Sequence, residues 1–159
     1  MSKEKKTIIL QDIIIPPTYY NNTDHILHVQ PSQIPEAGNG IYFYDKTIEK
    51  GEFIGYYDGK VVKSNPKECV GDYSFELNKH WYVDARAFPR PYTAMINDAY
   101  RSKFTNNCEF VLVKHDDDGN KLTGKDMKIA LQTTRRIHSG EELFASYGDA
   151  YWECESRKF

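Results

Sequence analysis

Apolar and polar positions change over quickly along this chain, and no long helical period builds up. Tyr73-Ser74-Phe75-Glu76-Leu77 alternates with period two, the pattern of a half-buried strand, and Trp81-Tyr82-Val83-Asp84 follows it after Asn78-Lys79-His80. Residues 40–44 and 52–57 are β-prone runs bounded by turn residues, and residues 25–29 alternate more weakly. Asp58-Gly59 ahead of Lys60-Val61-Val62 is a hairpin signal that predicts pairing of the runs on either side. Residues 110–113 and 127–133 read as strands flanking a polar loop at 115–126, and residues 142–147 as the last strand. Only residues 92–100 have room for a turn or two of helix. Residues 1–24 read as an N-terminal arm, because Pro16-Pro17 and the Asn-rich stretch behind them carry turn residues and no period. The expectation is a mainly β protein with few short helices: the arm, one domain over 25–152, and a tail over 153–159.

Length supports that single domain, since 159 residues suffice for one real core. The net charge of −2 argues against a general nucleic-acid binder, which normally shows a basic patch on a basic domain. Three cysteines, Cys69, Cys108 and Cys154, are an odd count without a C-x-x-C pair. They match neither a disulfide framework nor a zinc spacing, and they suit a reducing compartment. The apolar residues 8–15 are interrupted by Gln11-Asp12 and stopped by Pro16-Pro17, too short and broken for a membrane span. An intracellular, soluble protein is expected. Twelve Tyr, eight Phe and two Trp suit either the pleated sheets of a β-rich domain or the walls of a substrate slot.

Several segments carry candidate chemistry, each beside a plainer alternative. Gly38-Asn39-Gly40 ahead of Ile41-Tyr42 lets the backbone turn sharply and come close to a ligand; alone it is a tight turn. Asp116-Asp117-Asp118-Gly119-Asn120 fails as a calcium loop, because the glycine offset would put Lys114 in the first ligand position; a solvated hairpin tip remains. Asn97, directly after Ala94-Met95-Ile96, is either a satisfied buried amide or a group presented to a ligand. Asn106-Asn107-Cys108 reads as a turn entering a strand. Residues 141–152, Glu-Glu-Leu-Phe-Ala-Ser-Tyr-Gly-Asp-Ala-Tyr-Trp, read either as a core strand with a glycine stop or as a strand that holds the Tyr147 hydroxyl at a cleft.

In this order the segments resemble the SET domain, a family of S-adenosylmethionine-dependent protein-lysine methyltransferases, from about residue 35 to 152. Gly38-Asn39-Gly40-Ile41-Tyr42 resembles the family's G-x-G turn, Thr47-Ile48-Glu49-Lys50-Gly51-Glu52-Phe53-Ile54 its strand entry, and Tyr57-Asp58-Gly59 its Y-x-G. Asp72-Tyr73-Ser74-Phe75 is similar to its aromatic strand, and Tyr82-Val83-Asp84-Ala85 to its x-I-D-A. Ile96-Asn97 resembles the start of its I-N-H-S, and Asn107-Cys108 the end of its P-N-C. Ser139-Gly140-Glu141-Glu142-Leu143 with Ser146-Tyr147-Gly148 is similar to its G-E-E-L and Y-G pair, and the ending through Tyr151-Trp152 to the compact virus-type members. The chain departs at Asp98, where the family has His, and at Ala99, where it has Ser. The stretch between Asn97 and Asn107 is also longer, and the cysteine-rich zinc segment is absent.

The resemblance implies a β-clip fold of several small sheets with a pseudoknot-like threaded C-terminal segment. It implies Tyr147 as the catalytic residue, and Gly38, Asn39, Gly40, Tyr42, Tyr73, Asn97 and the Asp98 main chain around S-adenosylmethionine. Tyr73, Phe144, Ala145, Tyr151 and Trp152 would wall a channel for the substrate lysine, and the small Ala145 would leave room for di- or trimethylation. No metal is expected. The implied partner is a basic lysine-containing segment, a histone tail first of all, with no direct nucleic-acid or membrane binding. A nuclear location follows if histones are the target, a cytoplasmic one otherwise. A homodimer is one way in which compact members complete a substrate groove. The competing readings are a methyltransferase of a non-histone protein and a SET-like module that binds a partner without turnover.

Overall fold

The structure, a computed structural model, describes residues 19–65 and 71–148. Eleven short strands dominate the described residues, and helix is confined to two 3-10 turns, Tyr92–Met95 and Gly124–Asp126. The strands are β1 (Tyr19–Tyr20), β2 (Ile26–Pro31), β3 (Asn39–Tyr44), β4 (Phe53–Tyr56), β5 (Lys60–Lys63), β6 (Ser74–Glu76), β7 (Trp81–Asp84), β8 (Arg90–Pro91), β9 (Cys108–Val113), β10 (Lys128–Thr133) and β11 (Glu142–Leu143). They form three antiparallel three-stranded sheets, ordered β4-β10-β9, β11-β3-β2 and β5-β7-β6, and one parallel pair, β1-β8. The fold is mainly β, with several small sheets.

Position within a sheet explains each strand's pattern. β3 lies between β11 and β2, and Gly40 to Phe43 are all buried, which an apolar run without alternation anticipates. β5 is an edge, and Lys60 and Lys63 at its two ends discourage further pairing. Two apolar clusters result. The larger joins Ile41, Phe43, Ile48, Ile54, Ile96, Leu131 and Leu143, and the smaller joins Tyr57, Leu77, Val83 and Ile129. Each fully buried Ile, Leu or Phe contributes about 2–3 kcal/mol of apolar transfer. Phe110 packs against both clusters and ties them together.

Two expectations are corrected. The predicted hairpin at Asp58-Gly59 does not form: β4 pairs with β10, and β5 pairs with β7. Gly59 is where the chain passes from one sheet to another against foreign backbone. A Cβ there would lie 2.5 Å from the Asp84 carbonyl oxygen, so the glycine serves close approach instead of a two-residue turn. The last strand is also shorter than expected. Its ladder stops at Leu143, and Phe144 and Ala145 make single parallel bridges to Asn97 and Cys108. The Ala145 amide donates to the Asn97 carbonyl at 3.0 Å, while the Phe144 carbonyl accepts from the Asn107 and Cys108 amides at 3.0 and 2.9 Å. The C-terminal stretch therefore runs between the Asn97 and Asn107 segments.

The polar loop at 115–126 is the exposed tip of the β9-β10 hairpin, where the Asp116 carboxylate accepts from the Asp118 and Asn120 amides. The described part of the arm is docked: Asn22 donates to the Tyr56 carbonyl at 2.8 Å and to Asp58 at 2.7 Å, and Tyr19–Tyr20 pairs with Arg90–Pro91.

Candidate functional site

The two glycines of the G-x-G turn serve different purposes. Gly38 has φ +74° with open space where a side chain would start, so it supplies a left-handed turn beside a clear surface. Gly40 supplies room. A Cβ there would overlap Glu142 Oε2 and would lie 3.3 Å from Asn97 Nδ2. Glu142 is only 2% exposed, and its carboxylate accepts from the Ser32 hydroxyl at 2.7 Å and the Gln33 amide at 2.8 Å. Asn97 donates from Nδ2 to the Asn39 carbonyl at 3.0 Å, next to the end of β2, where Pro31 has no N–H to give. Tyr42 lies directly across from Glu142, and its hydroxyl donates to the Pro31 carbonyl at 2.7 Å. Burial and then the Glu142 charge raise its pKa, so it stays a neutral donor. Gly38, Asn39, Gly40, Tyr42 and Asn97 thus converge on one corner.

Tyr147 stands at the other side of the same segment. Its hydroxyl donates to the Ile96 carbonyl at 3.0 Å, one residue from Asn97. Its amide donates to Asp98 Oδ2 at 2.9 Å. Asp98 is 7% exposed, and its other oxygen accepts from the Tyr100 amide at 2.9 Å and from Asn106 Nδ2 at 3.4 Å. Asn107, read from the sequence as part of a turn, is a buried clamp. Its amide group donates to the Glu142 carbonyl at 2.9 Å, and its Oδ1 accepts from the Phe144 amide at 2.8 Å. It fixes the strand that leads into Tyr147.

The remaining aromatic candidates divide. Tyr73 is half-buried, and its carbonyl accepts from the Tyr57 hydroxyl at 2.6 Å. Tyr57 packs its ring edge-on against Phe75 and Phe110 in the smaller core cluster. Burial pushes its pKa well above the usual phenol range, the Asp84 charge adds to this, and Arg90 opposes. Tyr57 therefore remains protonated and donates to the Tyr73 backbone. The Arg90 guanidinium lies over the Tyr73 ring at 3.9 Å and over Phe88 at 4.0 Å. Phe144 is buried and stacks on Phe104 with centroids 5.5 Å apart, and Ala145 has no exposed surface and belongs to the main core. Tyr151 and Trp152 lie outside the described residues.

Sequence reasoning missed Tyr57, Arg90 and Phe104. Tyr57 had a signal, the Y-x-G motif. Phe104 lies in the long stretch after Asn97, where it lines a cleft of about 390 Å³ with Asn107, Arg135, Glu142 and Phe144. Cys108 is buried behind this region, and desolvation pushes its thiol up to about 12, against a smaller lowering by Arg135. At pH 8 only about one molecule in ten thousand would carry a thiolate. Iodoacetamide is therefore expected to leave Cys108 unmodified in the native protein and to label it after denaturation, as read by peptide mass mapping.

A family model described as SET domain matches residues 41–148, more than half of the chain. The chain belongs to the SET-domain family. That is a family of protein-lysine methyltransferases in general, and the small antiparallel sheets agree with it. The match spans Tyr42, Tyr73, Asn97, Asp98, Phe144, Ala145 and Tyr147; the G-x-G turn precedes it, and Tyr151 and Trp152 follow it. Among the described residues of this SET domain, no three His, Cys, Asp or Glu side chains are grouped to hold a metal ion, and no helix is long and apolar enough to cross a membrane.

Proposed function

We propose that this SET-domain protein is an S-adenosylmethionine-dependent protein-lysine N-methyltransferase whose substrate is a basic segment such as a histone tail. The observation that carries the proposal is the Tyr147 hydroxyl anchored on the Ile96 carbonyl, one residue from Asn97, whose amide reaches the Asn39 carbonyl of the G-x-G turn. The residues suit the cofactor. Gly38 leaves an open approach, the Asn97 amide offers both donor and acceptor chemistry to an amino-acid end, and the oxygens around Tyr147 suit a cationic centre.

When bound, S-adenosylmethionine supplies an electrophilic methyl group on a sulfonium, open to in-line attack by a neutral amine. The chain's own residues prepare that amine. Lysine has a pKa near 10.4 in water, and aromatic surroundings at Tyr57 and Tyr73 disfavour its charged form. The fixed Arg90 cation over Tyr73 acts in the same direction. Tyr147 directs its hydroxyl oxygen toward the reacting nitrogen and methyl, and Tyr57 stays a neutral donor that holds the Tyr73 backbone in place. Alignment then contributes most of the rate, which needs neither a metal nor a covalent nucleophile. Asp98, where the family has His, does not argue for an inactive module, because its carboxylate holds the Tyr147 backbone.

The experiment is a thermal melt with and without S-adenosylmethionine. Ligand at a hundredfold excess over its Kd stabilises the native state by about 2.7 kcal/mol, so a clear rise in Tm is expected. No shift with S-adenosylmethionine or its demethylated product, and no heat in calorimetry, would count against the proposal. A panel of basic peptides then separates histone from non-histone substrates.

A further inference from the structure

The buried Asp98 carboxylate faces donors on both of its oxygens. Oδ2 accepts from the Tyr147 amide at 2.9 Å. Oδ1 accepts from the Tyr100 amide at 2.9 Å, closing a turn two residues on, and from Asn106 Nδ2 at 3.4 Å. Asn106 cannot turn its amide round without loss, because its Oδ1 accepts from the Ala99 amide at 2.9 Å. Three donors from three places therefore meet one side chain that is 7% exposed. Only a group that accepts on both oxygens satisfies them. An asparagine of the same shape would turn an NH₂ toward an N–H in either orientation, which costs more than the bond it removes.

The carboxylate also joins parts of the chain far apart in sequence. Tyr147 lies 49 residues beyond Asp98, at the end of the segment held between Asn97 and Cys108. The Tyr147 hydroxyl is anchored on Ile96, so hydroxyl and backbone of the same tyrosine are fixed by residues two apart, Ile96 and Asp98. The loop that Asp98 closes is built: the Ser102 amide and hydroxyl both donate to the Ala99 carbonyl, and the Phe104 amide donates to the Ser102 hydroxyl. That loop sets Phe104 against Phe144.

We infer that Asp98 is the positioning residue for Tyr147. Its carboxylate sets the angle at which the tyrosine hydroxyl meets the reacting atoms, and couples that angle to the 98–106 loop. The inference rests on the methyltransferase reading above. Asp98 itself touches no reacting atom through its side chain; it acts through Tyr147.

The test is Asp98→Asn, with amide hydrogen exchange followed by NMR and with methyl-transfer kinetics. In the native protein the Tyr147 and Tyr100 amides are both expected to exchange slowly. In Asp98→Asn the amide oxygen should keep the turn to Tyr100 and the Asn106 amide, and the NH₂ should face the Tyr147 amide. Selective loss of protection at Tyr147, with Tyr100 retained, is the expected signature; a general structural role would not produce it. The kcat should fall by roughly tenfold or more at saturating substrates, with cofactor Kd and peptide KM changing by no more than about threefold. Fast exchange of the Tyr147 amide in the native protein overturns the inference, even if the variant fails to fold. So does an Asp98→Asn protein that keeps that protection or its full kcat. Loss of protection spread evenly over the domain also overturns it, since it marks a purely structural role. If the native protein transfers no methyl group, the methyltransferase reading falls with its catalytic consequence, while the exchange data still decide whether the tie exists.

Discussion

Tyr147→Phe is expected to lower methyl transfer by about 10²–10³-fold while leaving the fold intact. The substitution removes one hydroxyl from a half-buried ring. Its structural cost is one hydrogen bond to the Ile96 carbonyl, about 1 kcal/mol. The Tyr147 amide keeps its bond to Asp98, so the backbone stays where it is. The catalytic cost is larger, because a preorganised polar group aimed at developing charge is typically worth 10²–10³ in kcat. The measurement is a pair: kcat from initial rates and Tm from a melt. A large fall in kcat with a small fall in Tm fits the account. An unchanged kcat would remove Tyr147 from the chemistry, and a parallel collapse of both would make it a packing residue.

Gly40→Ala is expected to cost about 2–3 kcal/mol of stability, the upper part of the roughly 1–3 kcal/mol typical of forcing a methyl group into a filled core. The added Cβ would overlap Glu142 Oε2, and Glu142 cannot move aside cheaply. Its carboxylate is buried and already accepts from Ser32 and the Gln33 amide, so shifting it strands those donors. The same methyl would press on Asn97 Nδ2, so cofactor affinity should fall along with stability. Gly38→Ala is the control. It meets no neighbour but stands at φ +74°, and should cost only about 1–2 kcal/mol of backbone strain. Denaturant unfolding of the two variants, with cofactor titrations of each, checks the contrast. Equal losses at the two positions would contradict the division of roles between them.

What was legible in the sequence followed from local physics. The strands at 40–44, 74–76 and 81–84 announced themselves through alternation or apolar runs, because burial on one face or both is written residue by residue. Partner choice is not written that way. Asp58-Gly59 had the composition of a hairpin, yet the strands around it joined different sheets, since the contact that decides is the Asp84 backbone 25 residues on. Asn107 looked like a turn residue because its amide partners, Glu142 and Phe144, lie 35 and 37 residues away. Tyr57 stands at the end of a β-prone run and is a core ring. Its hydroxyl reaches the Tyr73 carbonyl, and only tertiary structure shows that. The sites of Gly38, Gly40, Asn97 and Tyr147 were legible through ordered motifs, not through composition. The double tie of Asp98 was invisible: a carboxylate in a histidine's place reads as a departure until its three donors are seen together.

The central claim is that this chain moves a methyl group onto a lysine amine. The most direct measurement incubates the native protein with methyl-labelled S-adenosylmethionine and a panel of histone-tail peptides, and reads the products by fragment mass spectrometry. The account predicts label on a lysine side chain of at least one peptide, sharply reduced in Tyr147→Phe. Folded native protein that binds the cofactor yet labels no lysine in any basic peptide or protein would contradict it.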